Sequence, residues 1–105
     1  MNVYEAFQAA KAAGCTQPEI YIAFSPASFT SASGWLVARS GTYSRKRFPG
    51  NKAREEGLQA AMDWASRRYG ISGWEKIPGF GGTYFPAESA PAIKAAKRAA
   101  EKAAQ

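Results

Sequence analysis

A chain of 105 residues has the length of one domain and leaves no room for two independent cores. Its hydrophobic fraction of 46%, with 13% aromatic residues, argues against disorder, and no apolar run reaches the roughly 20 residues of a membrane span. The charge is +6, there is no histidine, and Cys15 is the single cysteine, which together exclude tetrahedral zinc sites and the histidine-dependent nucleophilic triads.

Asn2 followed by Glu5 forms a capping pair that opens a first helix. Val3, Phe7 and Ala10 recur at helical spacing, and Gly14 is its stop. Gln17 and Pro18 break the chain before Ile20-Tyr21-Ile22-Ala23-Phe24, a β-branched and aromatic run with the character of a strand. The stretch 25–34, rich in serine with Pro26 and Gly34, reads as a loop.

Residues 35–40 and 43–48 flank Gly41-Thr42, a two-residue turn with glycine first, and predict a hairpin. Pro49-Gly50 ends it, and Asn51 is placed to cap the next helix. There Leu58, Ala61, Met62, Ala65 and Tyr69 fall on one narrow face, flanked by Trp64, and Gly70 is the stop. Residues 74–77 and 83–85 predict a short second hairpin around the glycine-rich turn 78–82. From Ser89 onward the Ala/Lys/Arg/Glu composition is strongly helix-forming, but its stripe of Ile93, Ala96 and Ala100 buries little area.

The expected fold is α+β: a three-stranded antiparallel sheet packed on an amphipathic helix. An N-terminal helix, a short second hairpin and a C-terminal Ala-rich helix complete one domain over residues 1–105, with 89–105 as a loosely attached tail. Aliphatic residues are few, so the core is expected to centre on aromatics. The first fourteen residues lack the basic start and continuous apolar stretch of a secretory signal, and the lone cysteine fits a reducing compartment, so a cytoplasmic protein is expected.

The charge has an address. Residues 39–54 hold Arg39, Arg45, Lys46, Arg47, Lys52 and Arg54 and no acid, while the other eight cations are balanced by the eight acids of the chain. If Leu36, Ala38 and Phe48 face the helix, alternation along the strands displays Trp35, Arg39, Tyr43, Arg45 and Arg47 together on the opposite face. Cations interleaved with aromatics on a flat sheet suit phosphates, guanine edges and base stacking. The candidate nucleic-acid-binding residues are therefore Trp35, Arg39, Tyr43, Arg45, Arg47, Lys52 and Arg54.

Charge localisation alone leaves other readings open. Edge strands carry Lys and Arg simply to discourage edge-to-edge pairing, and Trp35 could belong to the core. The same Arg/aromatic surface also suits a protein-interaction module or inhibitor that binds an acidic partner protein. An enzyme would have to rely on carboxylates, Lys, Tyr or a bound cofactor. No cofactor motif is present, since Gly79-Phe80-Gly81-Gly82-Thr83 lacks the ending of a phosphate loop, and neither catalysis nor a cofactor is expected.

Two families add to this. Gly34-Trp35, Ala38-Arg39, Arg45-Lys46-Arg47-Phe48-Pro49-Gly50 and the helix with Glu55, Glu56, Ala60 and Ala61 resemble the three-strands-then-helix DNA-binding domain of ethylene-response factors and of the arm-binding domains of phage integrases. The resemblance covers residues 20–70. It implies a sheet laid in the major groove of duplex DNA, with Trp35, Arg39, Arg45 and Arg47 as contacts. The order helix, three strands, helix also resembles the double-stranded-RNA-binding domain, with Gly50-Asn51-Lys52-Ala53-Arg54 standing at its basic helix start. The functional expectation is a small nucleic-acid-binding protein, an accessory factor of a phage or other mobile element, with duplex DNA as the expected partner and no membrane.

Overall fold

In the computed structural model, which describes residues 1–25, 33–39, 44–49 and 54–103 (25, 44–47, 49 and 54–56 by backbone alone), the first helix starts where its cap dictates. Helix α1 spans Val3–Ala12, and the Glu5 amide donates to Asn2 Oδ1 at 2.8 Å. Gly14 leaves the helix at φ +81°, a conformation that favours glycine over any residue with a Cβ. Asn2→Ala removes the acceptor for an otherwise orphaned helix donor. It should cost about 1 kcal/mol, read as a lower urea midpoint at unchanged slope.

Three strands follow: β1 over Ile20–Ser25, β2 over Gly34–Arg39 and β3 over Ser44–Pro49. Helix α2 covers Arg54–Tyr69 and ends at Gly70, which sits at φ +69°. The short strands β4 (Trp74–Lys76) and β5 (Tyr84–Pro86) precede helix α3 (Ala90–Ala103). The proposed cap Asn51 lies outside the described residues.

The α+β, antiparallel expectation holds, but the sheet has five strands rather than three, in the order β3-β2-β1-β5-β4. The second hairpin does not stand apart. Ile22 of β1 pairs with Tyr84 of β5, so the hairpin extends the sheet on the side of β1 that β2 leaves open. A strand rich in Ile, Tyr and Phe is most stable with both edges paired, and here it is central.

Each face of the sheet has its own core. On one face Ile22, Trp35 and Val37, with Phe24, Phe48 and Tyr84, meet Ala61 and Ala65 of α2 and their neighbours Leu58, Met62 and Tyr69. The small side chains at 61 and 65 are fully buried and allow close approach of helix and sheet. Trp64 lies 6.0 Å, ring to ring, from both Phe48 and Tyr69, which supports its expected structural role. Trp74 Nε1 donates to Ser66 Oγ at 3.0 Å and pins α2 to the far edge of the sheet.

On the other face Phe7 of α1 stacks near Tyr21 (5.6 Å) and Phe85 (6.4 Å), joined by Ile77, Phe80, Ala90 and Ile93. Helix α3 is therefore not a loose tail, contrary to expectation. Ile93 and Ala90 have no exposed surface and join Ala6 and Ala10 of α1 in one cluster, whereas Ala96 is half-buried and Ala100 exposed, so the first turn of α3 supplies the anchor. Lys94 forms an ion pair with Glu75 of β4, and Lys97 donates to the Pro78 carbonyl at 2.6 Å.

The glycine-rich segment beneath is a turn, as its composition suggested. Gly79 adopts φ +96°, and a Cβ there would stand 2.6 Å from Lys97 Nζ. A second tie joins the chain before β1 to the start of α3. The Thr16 amide and hydroxyl donate to the two carboxylate oxygens of Glu88 at 3.1 and 2.9 Å. Among the described residues no helix is long and apolar enough to cross a membrane.

Candidate functional site

The basic segment lies at one end of the sheet, because β3 is an edge strand. Its register with β2 is set residue by residue: Trp35 opposite Phe48, Leu36 opposite Arg47, Val37 opposite Lys46, Ala38 opposite Arg45 and Arg39 opposite Ser44. Residues directly opposed in an antiparallel pair share a face. Positions 35, 37 and 39 therefore belong with 44, 46 and 48, on the side of α2. Positions 36 and 38 belong with 47 and 45, on the side away from it.

This register corrects the expected grouping. Trp35 does not join Arg45 and Arg47. It is 4% exposed, packed edge-to-face on Phe24 (5.2 Å) and Tyr84 (5.9 Å) in the core beneath α2. The physical reason is area: on the α2 side of β2 the indole is the largest apolar group, and covering it with the helix removes far more surface from water than covering Leu36 or Ala38 would. The contact role that the family resemblance implied for Trp35 does not hold.

Arg39 is exposed at the end of β2, on the α2 side. Arg54 is the first residue of α2. Tyr43 and Lys52 lie outside the described residues. Of the seven candidates, the register brings Arg45 and Arg47 together on one face of the edge strand, with Arg39 on the other. The cations thus border the β3 edge from both faces rather than forming one flat plate.

The face carrying positions 45 and 47 is partly covered. Helices α1 and α3 share that side of the sheet, but they gather over Tyr21, Phe85, Ile77 and Phe80, toward β1 and β5. Leu36 and Ala23 are half-buried there, and Ala38, directly opposite Arg45, is buried, as are Trp35 and Val37 on the opposite face. Helix α1 turns one flank to solvent. On that helix Tyr4 is 65% exposed, and Lys11 is exposed as well. Neither was singled out from the sequence. The signal was present, since both stand off the Val3, Phe7 and Ala10 stripe.

A second basic feature is less open for binding. A cleft of about 190 Å³ between α3 and the turn after β4 is lined by Ile77, Pro78, Lys94, Lys97, Arg98 and Glu101. Two of its cations are engaged within the fold, Lys94 with Glu75 and Lys97 with the Pro78 carbonyl and, at 3.6 Å, Glu101. Among the described residues no group of three His, Cys, Asp or Glu side chains could hold a metal ion.

Compared with models of known protein families, with curated proteins and with solved structures, the chain matches none of them.

Proposed function

We propose that this protein binds nucleic acid through the β2–β3 end of its sheet, with Arg45 and Arg47 as the principal phosphate contacts and Arg39, Lys52 and Arg54 adding to the field. The observation that carries this reading is the charge segregation: the entire excess of +6 lies within residues 39–54, on an edge strand and its flanks, while the remainder of the chain is neutral. A polyanion is the partner that such a field attracts most strongly, and guanidinium forks suit phosphate oxygens. Because Trp35 is buried, contact with the phosphate backbone replaces base stacking on the sheet as the mode of binding at this edge.

The test is affinity for random duplex and single-stranded probes across a salt series. Each phosphate neutralised on duplex DNA contributes roughly 0.9 to the slope of log affinity against log salt. The double variant Arg45→Ala, Arg47→Ala should weaken binding and flatten that slope by nearly two units, with Ser44→Ala as a near-neutral control. If neither probe binds at low salt, the reading is wrong, and an acidic protein partner takes the place of nucleic acid.

A further inference from the structure

We infer that the cleft between α3 and the turn after β4 binds a small organic carboxylate. Arg98 and Lys97 hold its charged end, and Ile77 and Pro78 receive its apolar stem. The site is independent of the nucleic-acid reading, because β4 is the edge strand opposite β3, four strand spacings or about 19 Å away.

The seat of Lys97 comes first. Its ammonium donates to the Pro78 carbonyl at 2.6 Å, and its stem crosses Gly79, where a Cβ would stand 2.6 Å from Nζ and 2.9 Å from Cε. Gly79 also sits at φ +96°, so the position favours glycine on two counts. Only 26% of the Lys97 side chain stays exposed. The fold thus fixes this ammonium before any ligand arrives, which lowers the ordering cost of binding. Pro78 takes one of its three N–H donors, and Glu101, at 3.6 Å, stands beyond hydrogen-bond length. Donor capacity is left over.

Arg98 supplies the second donor set. It lines the cleft one helical turn after Lys94, and among the described residues it makes neither an ion pair nor a hydrogen bond, whereas Lys94 is committed to Glu75. A planar guanidinium meets a carboxylate through two parallel N–H donors. Charge sets the ligand class. The three cations Lys94, Lys97 and Arg98 stand against Glu75 and Glu101 and leave a single positive charge, which one carboxylate neutralises and a phosphate dianion exceeds. The volume of about 190 Å³ equals about six waters, room for a carboxylate with a short hydrocarbon stem. Ile77 at its base belongs to the core cluster around Phe7, so a stem laid there displaces water from apolar surface.

The experiment titrates sodium hexanoate into the nitrogen-15-labelled full chain and follows its backbone amide resonances, with acetate, hexanol and inorganic phosphate as comparison probes. Hexanoate should shift the amides of Gly79, Lys97 and Arg98 saturably, with a Kd on the order of 1 mM. Acetate lacks the stem and hexanol the charge, so each should bind about tenfold more weakly or worse. Arg98→Ala should weaken hexanoate about tenfold at an unchanged melting temperature, since the side chain is exposed and unpartnered among the described residues. The Arg45→Ala, Arg47→Ala pair should bind hexanoate as the parent does, which separates this cleft from the β3 edge. Absence of a saturable shift at these amides overturns the inference. So does parent-like binding by Arg98→Ala, or phosphate acting on the same amides at lower concentration than hexanoate.

Discussion

Trp35→Ala should destabilise the fold by about 3–5 kcal/mol, the cost of removing a fully packed indole from a core that collapses only in part. The residue sits between Phe24 and Tyr84 and under α2, so three strands and a helix lose a common neighbour. For a domain of this size, each kcal/mol shifts the melting temperature by about 4–8 °C, and the variant should melt tens of degrees lower or fail to fold. Trp35→Phe separates packing from recognition: it keeps an aromatic in the site and should recover much of the stability. A Trp35→Ala protein that melts like the parent but no longer binds nucleic acid would return Trp35 to the surface role that its neighbours in sequence suggested.

The second large effect concerns α3. Ile93→Ala should cost about 2–5 kcal/mol, and deletion of residues 90–105 should abolish cooperative unfolding altogether. The reason is what lies beneath. Phe7, Phe80, Phe85 and Ile77 form one cluster that α3 closes, and without it that cluster faces water. Near-ultraviolet circular dichroism and dye binding should report the loss of fixed packing in the truncated chain. An intact, cooperative melt after deletion would show that α1 and the sheet suffice.

These two effects mark where sequence reasoning reached and where it stopped. Features decided within a few residues were legible. Asn2 with Glu5, Gly14 and Gly70 all stand at the helix ends their chemistry predicts, and the α2 stripe from Leu58 to Tyr69 meets the sheet as its spacing requires. The grouping of Trp35 with Arg45 was excluded by the hairpin itself. The two-residue turn expected at 41–42 would oppose 39 with 44, the register observed, and that register puts 35 on the face of 48. Parity along each strand alone does not supply this; the pairing across strands does.

The other departures had no local signal. The union of the two hairpins into one sheet rests on Ile22 meeting Tyr84, a contact between residues far apart in sequence. The firm seat of α3 depends on alanines, whose value lies in how near they let a neighbouring helix come rather than in the area they bury. At the candidate site, the concentration of charge was plain from composition, whereas the exposure of Tyr4 depends on which flank of α1 is left uncovered. Only the packing of α1 against α3 settles that.

The central place of β1 also sets an order of assembly. The strand runs Ile20-Tyr21-Ile22-Ala23-Phe24, and one of its edges is paired by a segment close behind it, β2. Its other edge waits for β5, which follows a sixteen-residue helix and a further strand. During synthesis at roughly 5–20 residues per second, an apolar strand therefore spends several seconds with one side of its ladder open. That interval is when the chain is most vulnerable to pairing with another copy of itself. The last segment to arrive then closes both the sheet and, through α3, the cluster around Phe7, so folding is completed from the C-terminal end.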